Sequence, residues 1–157
     1  MGRRRAIAAC LCGFLLLVPA LHASDSTVAS KGEQRLFEEI NRVRTAHGVP
    51  PLKTDARLRA AAKAHSRDMV AHGYLGHGDF GRRLQNYGVR ARAIGENVAW
   101  GQGGSVRARA IVAGWMGSSW HRANLLSRDF HRVGIGAVVG SFGGHRLAHL
   151  VTADFAA

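Results

Sequence analysis

Cysteine is nearly absent from this 157-residue chain, and both copies, Cys10 and Cys12, fall in its first twelve residues. Everything after them lacks thiols, so disulfides and cysteine nucleophiles are excluded from the remainder of the chain. Acidic residues are scarce too: 10 Asp and Glu stand against 22 Lys and Arg. No apolar run reaches the roughly 20 residues that span a bilayer comfortably. Several catalytic signatures are also missing. Without HExxH there is no zincin helix, and without GxSxG there is no serine nucleophile elbow, although Ser118 and Ser119 lie close to His121. The Gly101-Gln102-Gly103-Gly104 run lacks the lysine and strand–helix context of a phosphate-binding loop.

What is present begins with an export signal. Arg3, Arg4 and Arg5 precede an apolar run over residues 6–18, then Pro19 and small residues around Ala23. Cleavage is expected after Ala23, taking both cysteines with it and leaving no retained transmembrane anchor. The organisation is therefore read as a signal peptide over 1–23, a flexible segment over 24–32 and one domain over 33–157. The expected location is outside the cell, with the periplasm as the alternative, and a monomer is expected. The signal holds three arginines and no acidic residue, so the remaining 134 residues carry a net charge of +9. Such a surface favours anionic partners. The arginines are scattered over helix faces without interleaved aromatics, so no specific nucleic-acid site is read.

Hydrophobic spacing divides the domain in two. Ser30-Lys31-Gly32-Glu33 fits a capping box, and Leu36, Phe37, Ile40 and Val43 continue it as a helix to about His47. Gly48 and Pro50-Pro51 end it. Thr54 or Asp55 caps a second helix with Leu58, Ala61, Ala62, His65 and Met69 on one face, ending near Gly73. A glycine-rich loop carries His77, and Asp79 caps a short helix through Tyr87. Residues 93–100 read as extended. Ser105 is expected to cap a further helix bearing Trp115, and a polar loop over 117–124 to carry His121. Alternation at Val133, Ile135, Ala137 and Val139 marks a strand. Residues 140–144 connect it to a partner strand over 146–155. Helices first, then a hairpin, give an α+β layered domain.

Glu96 is the most informative position. In an extended segment it shares a face with Ile94, Val98 and Trp100, where a carboxylate must be paired, protonated or at an edge. It is either a site carboxylate, acting as a general base or as the partner of a metal-bound histidine, or a structural glutamate satisfied by backbone donors. His77 and His121 sit in segments where functional side chains concentrate, and two imidazoles with a carboxylate or water can hold zinc. The alternative for each is a solvated side chain. His65 reads as a satisfied core histidine, and Trp115 as core. Trp120, beside His121, reads as a ligand contact.

Taken in order, these segments resemble the CAP superfamily, also called the SCP or PR-1-like family. The resemblance rests on Asn41-Arg42-Val43-Arg44 with His47 to Leu52, on Leu58 with Ala64 to Met69, and on Gly76-His77. It continues through Gly95-Glu96-Asn97-Val98-Ala99, Trp115 to Ser118, His121 to Leu126, and Val133-Gly134-Ile135-Gly136. It implies a three-layer α-β-α sandwich and a cleft of two histidines and two glutamates. Carried over, His77 and His121 are the metal ligands, for zinc or another divalent ion, and Glu96 is the first glutamate and candidate catalytic residue. Asn97, Ser118 and Trp120 then line the cleft. The second glutamate would fall near Ser118, where this chain has none. The loop after His77 is short, and Ser119-Trp120 replaces the Pro-Gly common before the second histidine. The resemblance implies no general enzymatic activity. It leaves open a metal-assisted hydrolase and a non-catalytic module that binds lipid, sterol or an anionic surface.

Overall fold

The computed structural model describes residues 29–157. The signal peptide, its cleavage point and residues 24–28 of the flexible segment lie outside these residues. Helix α1 spans Lys31–Ala46. Its start follows from local chemistry: the Ser30 hydroxyl accepts from the Glu33 amide at 3.2 Å, and the Glu33 carboxylate accepts from the Ser30 amide at 2.8 Å. Helix α2, Ala56–His72, is capped by Asp55, which accepts from the Arg57 and Leu58 amides. It ends at Gly73, where a φ of 67° requires glycine. Helix α3, Phe80–Asn86, starts at Asp79.

Four strands form one mixed sheet in the order β1-β3-β4-β2: β1 Lys53–Thr54, β2 Ile94–Gly101, β3 Arg132–Phe142 and β4 His145–Ala156. β1 runs parallel to β3; the other pairings are antiparallel. The hairpin turn is only Gly143-Gly144, both at positive φ, with a register shift between Gly140 and Phe142. The expected five-residue connection is therefore shorter, because strand pairing persists through Phe142.

Alternation sends the two sides of the sheet to different helices. Val133, Ile135, Val151, Ala153 and Phe155 pack with Leu36, Ile40 and Val43 of α1. Val112 and Trp115 of α4, Ala108–Gly117, and Leu125 of α5, Ser119–Leu126, complete that core. The opposite side meets α2 and α3 through smaller clusters around Leu58, Leu84 and Met69. α2 lies directly on β3: a Cβ at Gly134 would stand 2.0 Å from the Arg59 backbone nitrogen, and one at Gly136 2.2 Å from that of Lys63. The result is the expected α-β-α sandwich.

Two local expectations change. Ser105 does not cap α4; its hydroxyl closes the short 3-10 turn Gly103–Val106, donating to the Gln102 carbonyl at 2.7 Å. His121 lies within α5 rather than in a loop. The helix is held from its far end by Arg44, a buried guanidinium of α1. Arg44 donates to the Leu125, Ser127 and Phe130 carbonyls at 2.7, 3.0 and 3.1 Å, and to Pro50 at 2.9 Å. A cation at the carboxyl end of a helix satisfies carbonyls that have no intrahelical partner. That contact spans 81 or more residues of sequence, so it leaves no local periodicity to read.

Candidate functional site

The Gly95-Glu96-Asn97 segment sits on β2, an edge strand, and strand alternation sends its two polar side chains to opposite layers. Glu96 points to the α2–α3 side. Its Oε1 accepts from His77 Nδ1 at 2.7 Å, and its Oε2 accepts from Arg83 Nη2 of α3. Asn97 points to the α5 side, donating to the His121 carbonyl at 3.0 Å and accepting from Asn124 at 2.9 Å. Asn124 also donates to the Glu96 carbonyl at 3.0 Å. One dipeptide thus anchors both histidines, one through its ring and one through its backbone. The rings converge, with centroids 6.3 Å apart.

The His77 tautomer follows from this contact. A carboxylate only accepts, so Nδ1 carries the proton, and in the neutral ring the lone pair is on Nε2. His121 titrates below the ordinary histidine range, first because burial disfavours its cation and then because His77 is near. It is neutral at pH 7 and keeps a lone pair. His65 is a buried core histidine whose Nε2 bonds the Gly76 carbonyl at 2.7 Å, pinning the loop that carries His77. Its pKa is lowered by burial and by the Arg83 charge.

Beneath His77 lies a group not read from the sequence. Asp154 of β4 is the cross-strand neighbour of Glu96, and Arg83 Nη2 bridges the two, reaching Asp154 Oδ1 at 3.1 Å. Arg83 Nη1 also reaches the His77 carbonyl at 3.4 Å. Burial raises the pKa of both carboxyls against the pull of Arg83, that of Asp154 to about 8. Asp154 Oδ2 is buried with no partner, whereas both Glu96 oxygens are occupied by donors. The proton therefore resides on Asp154 and the charge on Glu96, where His77 and Arg83 meet it. The signal for Asp154 was the one that found Glu96: a carboxylate in an alternating apolar strand, beside Thr152 on the same face. Arg83 left none, since its helix has only seven residues.

The other expected residues separate. Asn97 is fully buried and supports the cleft from below. Ser118 is half-buried at the junction of α4 and α5, with extended backbone and no side-chain cap. Trp120 is 84% exposed. Trp115 is core, its indole donating to the Val98 carbonyl at 3.0 Å. Among the described residues, no three His, Cys, Asp or Glu side chains are grouped to hold a metal ion. An ion between the rings would therefore have two imidazole ligands, with Glu96 behind one of them. The donor set fits a weak, water-completed site and not a closed structural one.

A layered α-β-α domain with a paired-histidine cleft at its edge strand defines the class. The chain matches the CAP family, described as the cysteine-rich secretory protein family, over residues 37–155, and it belongs to that family. It is 32% identical over 111 residues to the uncharacterized protein YkwD of Bacillus subtilis, covering 68% of this chain and 42% of that one. An extracellular protein with an SCP domain from Bacillus anthracis superposes with a TM-score of 0.68 at 30% identity, over 80% of this chain and 40% of that one. An outer surface protein of Borrelia burgdorferi gives a TM-score of 0.66 at 20% identity, over 81% and 95%, a likeness of fold alone. The chain spans less than half the length of the two Bacillus relatives. Among the described residues, no helix is long and apolar enough to cross a membrane.

Proposed function

We propose that this is an exported CAP-domain protein whose cleft binds a divalent metal ion between His77 and His121. The observation that carries the reading is the 2.7 Å contact from Glu96 to His77 Nδ1, with the second, neutral imidazole facing the same space. A carboxylate behind a metal-binding histidine fixes its tautomer and ring orientation and raises its basicity. Arg83, itself anchored on Asp154, holds Glu96 in place for that task. When bound, such an ion lowers the pKa of a coordinated water towards neutrality, which is the basis for a hydrolytic role. Without an ion, His77 Nε2 is positioned as a general base, in the manner of a carboxylate-oriented histidine.

Zinc titration by calorimetry tests the proposal. The His77→Ala/His121→Ala double variant is expected to lose measurable binding, and unchanged affinity in it overturns the reading. Glu96→Gln is expected to weaken zinc by about 10- to 100-fold, the usual cost of removing a partner behind a ligand.

A further inference from the structure

Two buried side-chain atoms behind His77 have no hydrogen-bond partner, Arg83 Nε and Asp154 Oδ2. Asp154 is fully buried, yet its side chain is tied to the histidine cleft in two steps. Arg83 Nη2 reaches Asp154 Oδ1 at 3.1 Å and also donates to Glu96 Oε2, and Glu96 Oε1 accepts from His77 Nδ1. β4 lies between β3 and β2, so Asp154 is level with Glu96 on one side and with Gly134, which has no side chain, on the other.

The charges around Asp154 come from each element packed near it. β2 supplies Glu96, an anion, and α3 supplies Arg83, a cation. α2 supplies His65, whose Nε2 is 3.7 Å from Glu96 Oε2 and which burial keeps neutral. The backbone of Arg59 crosses Gly134, but the residue lines a pocket at the opposite edge of the sheet, beside β1. The loop after α2 brings His77 and Tyr74, whose phenol burial keeps protonated. With the proton on Asp154, Glu96 and Arg83 cancel and the cluster is balanced. A divalent ion between the rings breaks that balance by two positive charges. Among the described residues, no third His, Cys, Asp or Glu joins the two histidines, so no carboxylate in the cleft offsets the ion. Glu96 already carries its charge. Asp154 is the carboxyl behind it that can still ionise, and nearby positive charge in dry surroundings favours that ionised form.

We propose that Asp154 compensates the charge of the metal site: a divalent ion arriving between His77 and His121 drives the Asp154 proton out to solvent. The carboxylic acid becomes a carboxylate, the buffer takes up the proton, and the ion gains an anion that is not one of its ligands. Asp154 acts through Arg83 and Glu96, so it is a positioning residue. The role rests on the metal site proposed above and gives that site a pH response of definite sign. Burial holds the Asp154 proton in place up to about pH 8 in the ion-free protein. The ion must displace that proton, so affinity rises with pH towards 8 and this gain levels off above it. A carboxyl that merely braced Arg83 would instead change affinity by the same factor at every pH.

Calorimetric zinc titration of the purified protein, in buffers of differing ionisation enthalpy, measures the protons released per ion. At neutral pH, wild type should release about one more proton than Asp154→Asn, whose amide has none to lose. One linked proton is worth about tenfold in affinity per pH unit, so the ratio of wild-type to variant affinity should be about one at about pH 5.5 and about ten at about pH 7.5. Infrared difference spectra of the wild-type protein give a readout that needs no variant. Zinc should remove the C=O stretch of a protonated carboxyl at neutral pH, and well above pH 8 there should be no such band to remove. Zinc binding with equal proton release and a ratio independent of pH overturns this inference and leaves the metal reading standing. A protonated-carboxyl band that zinc leaves untouched at neutral pH does the same. Absence of zinc binding by wild type at every pH overturns both.

Discussion

Glu96 and Asp154 face each other across adjacent strands with one guanidinium between them, and two carboxyls in so dry a place do not both ionise. The consequence is a pH dependence of a definite sign. Below the ordinary carboxylate range, the folded and unfolded chains both hold the Asp154 proton. From there to about pH 8, the unfolded chain has released it and the folded chain retains it. The folded state then binds more protons, so stability falls as pH rises through this window and levels off above it. Asp154→Asn supplies an uncharged side chain of the same shape and should remove that fall. Urea denaturation should show the variant gaining on wild type between about pH 5 and pH 8. An unchanged difference between the two proteins across that range would place the proton elsewhere. At this scale the sequence was legible where a side chain broke a local pattern. Glu96 stood on an apolar face, and Asp154 did the same in β4. What could not be read was that the two share a proton, because they lie 58 residues apart and meet only through strand register.

Elements were legible where their ends carry their own chemistry. The capping box at Ser30, the Asp55 and Asp79 caps and the left-handed Gly73 mark α1, α2 and α3 without reference to the rest of the fold. α5 was misread as a loop because its first residue is preceded by Ser118, which makes no side-chain cap, and because its stability comes from Arg44 and Asn97. β1 has two residues and exists only by pairing with β3. Glycine substitutions separate local from tertiary causes. Gly134→Ala drives a Cβ into the α2 backbone and should destabilise by about 3 kcal/mol or more, in the overpacking range. Gly114→Ala, inside α4 with nothing within 4 Å, should stabilise by about 1 kcal/mol through helix propensity. Equilibrium unfolding of both variants checks the contrast, and a mild effect at Gly134 would mean that α2 does not lie so close.

At the scale of the whole molecule, a member of a family described as cysteine-rich holds together without a disulfide beyond Cys12. Packing carries that burden: one core between the sheet and α1, α4 and α5, and smaller clusters under α2 and α3. If the signal is removed as proposed, the intact mass of the exported protein should begin at Ser24, and thiol titration should find no free cysteine. A mass that retains residues 1–23 would instead leave the chain tethered by its apolar segment.

The sequence alone determined the starts of α1, α2 and α3, the alternation that turns Glu96 inward, the basic surface and the absence of thiols. These are properties of neighbours along the chain: cap hydrogen bonds, side-chain period and composition. Tertiary structure alone decided the strand order β1-β3-β4-β2, the helical seat of His121, and the Arg83 bridge from Glu96 to Asp154. Each depends on contacts between distant segments, where burial and a shared proton fix what no local spacing encodes.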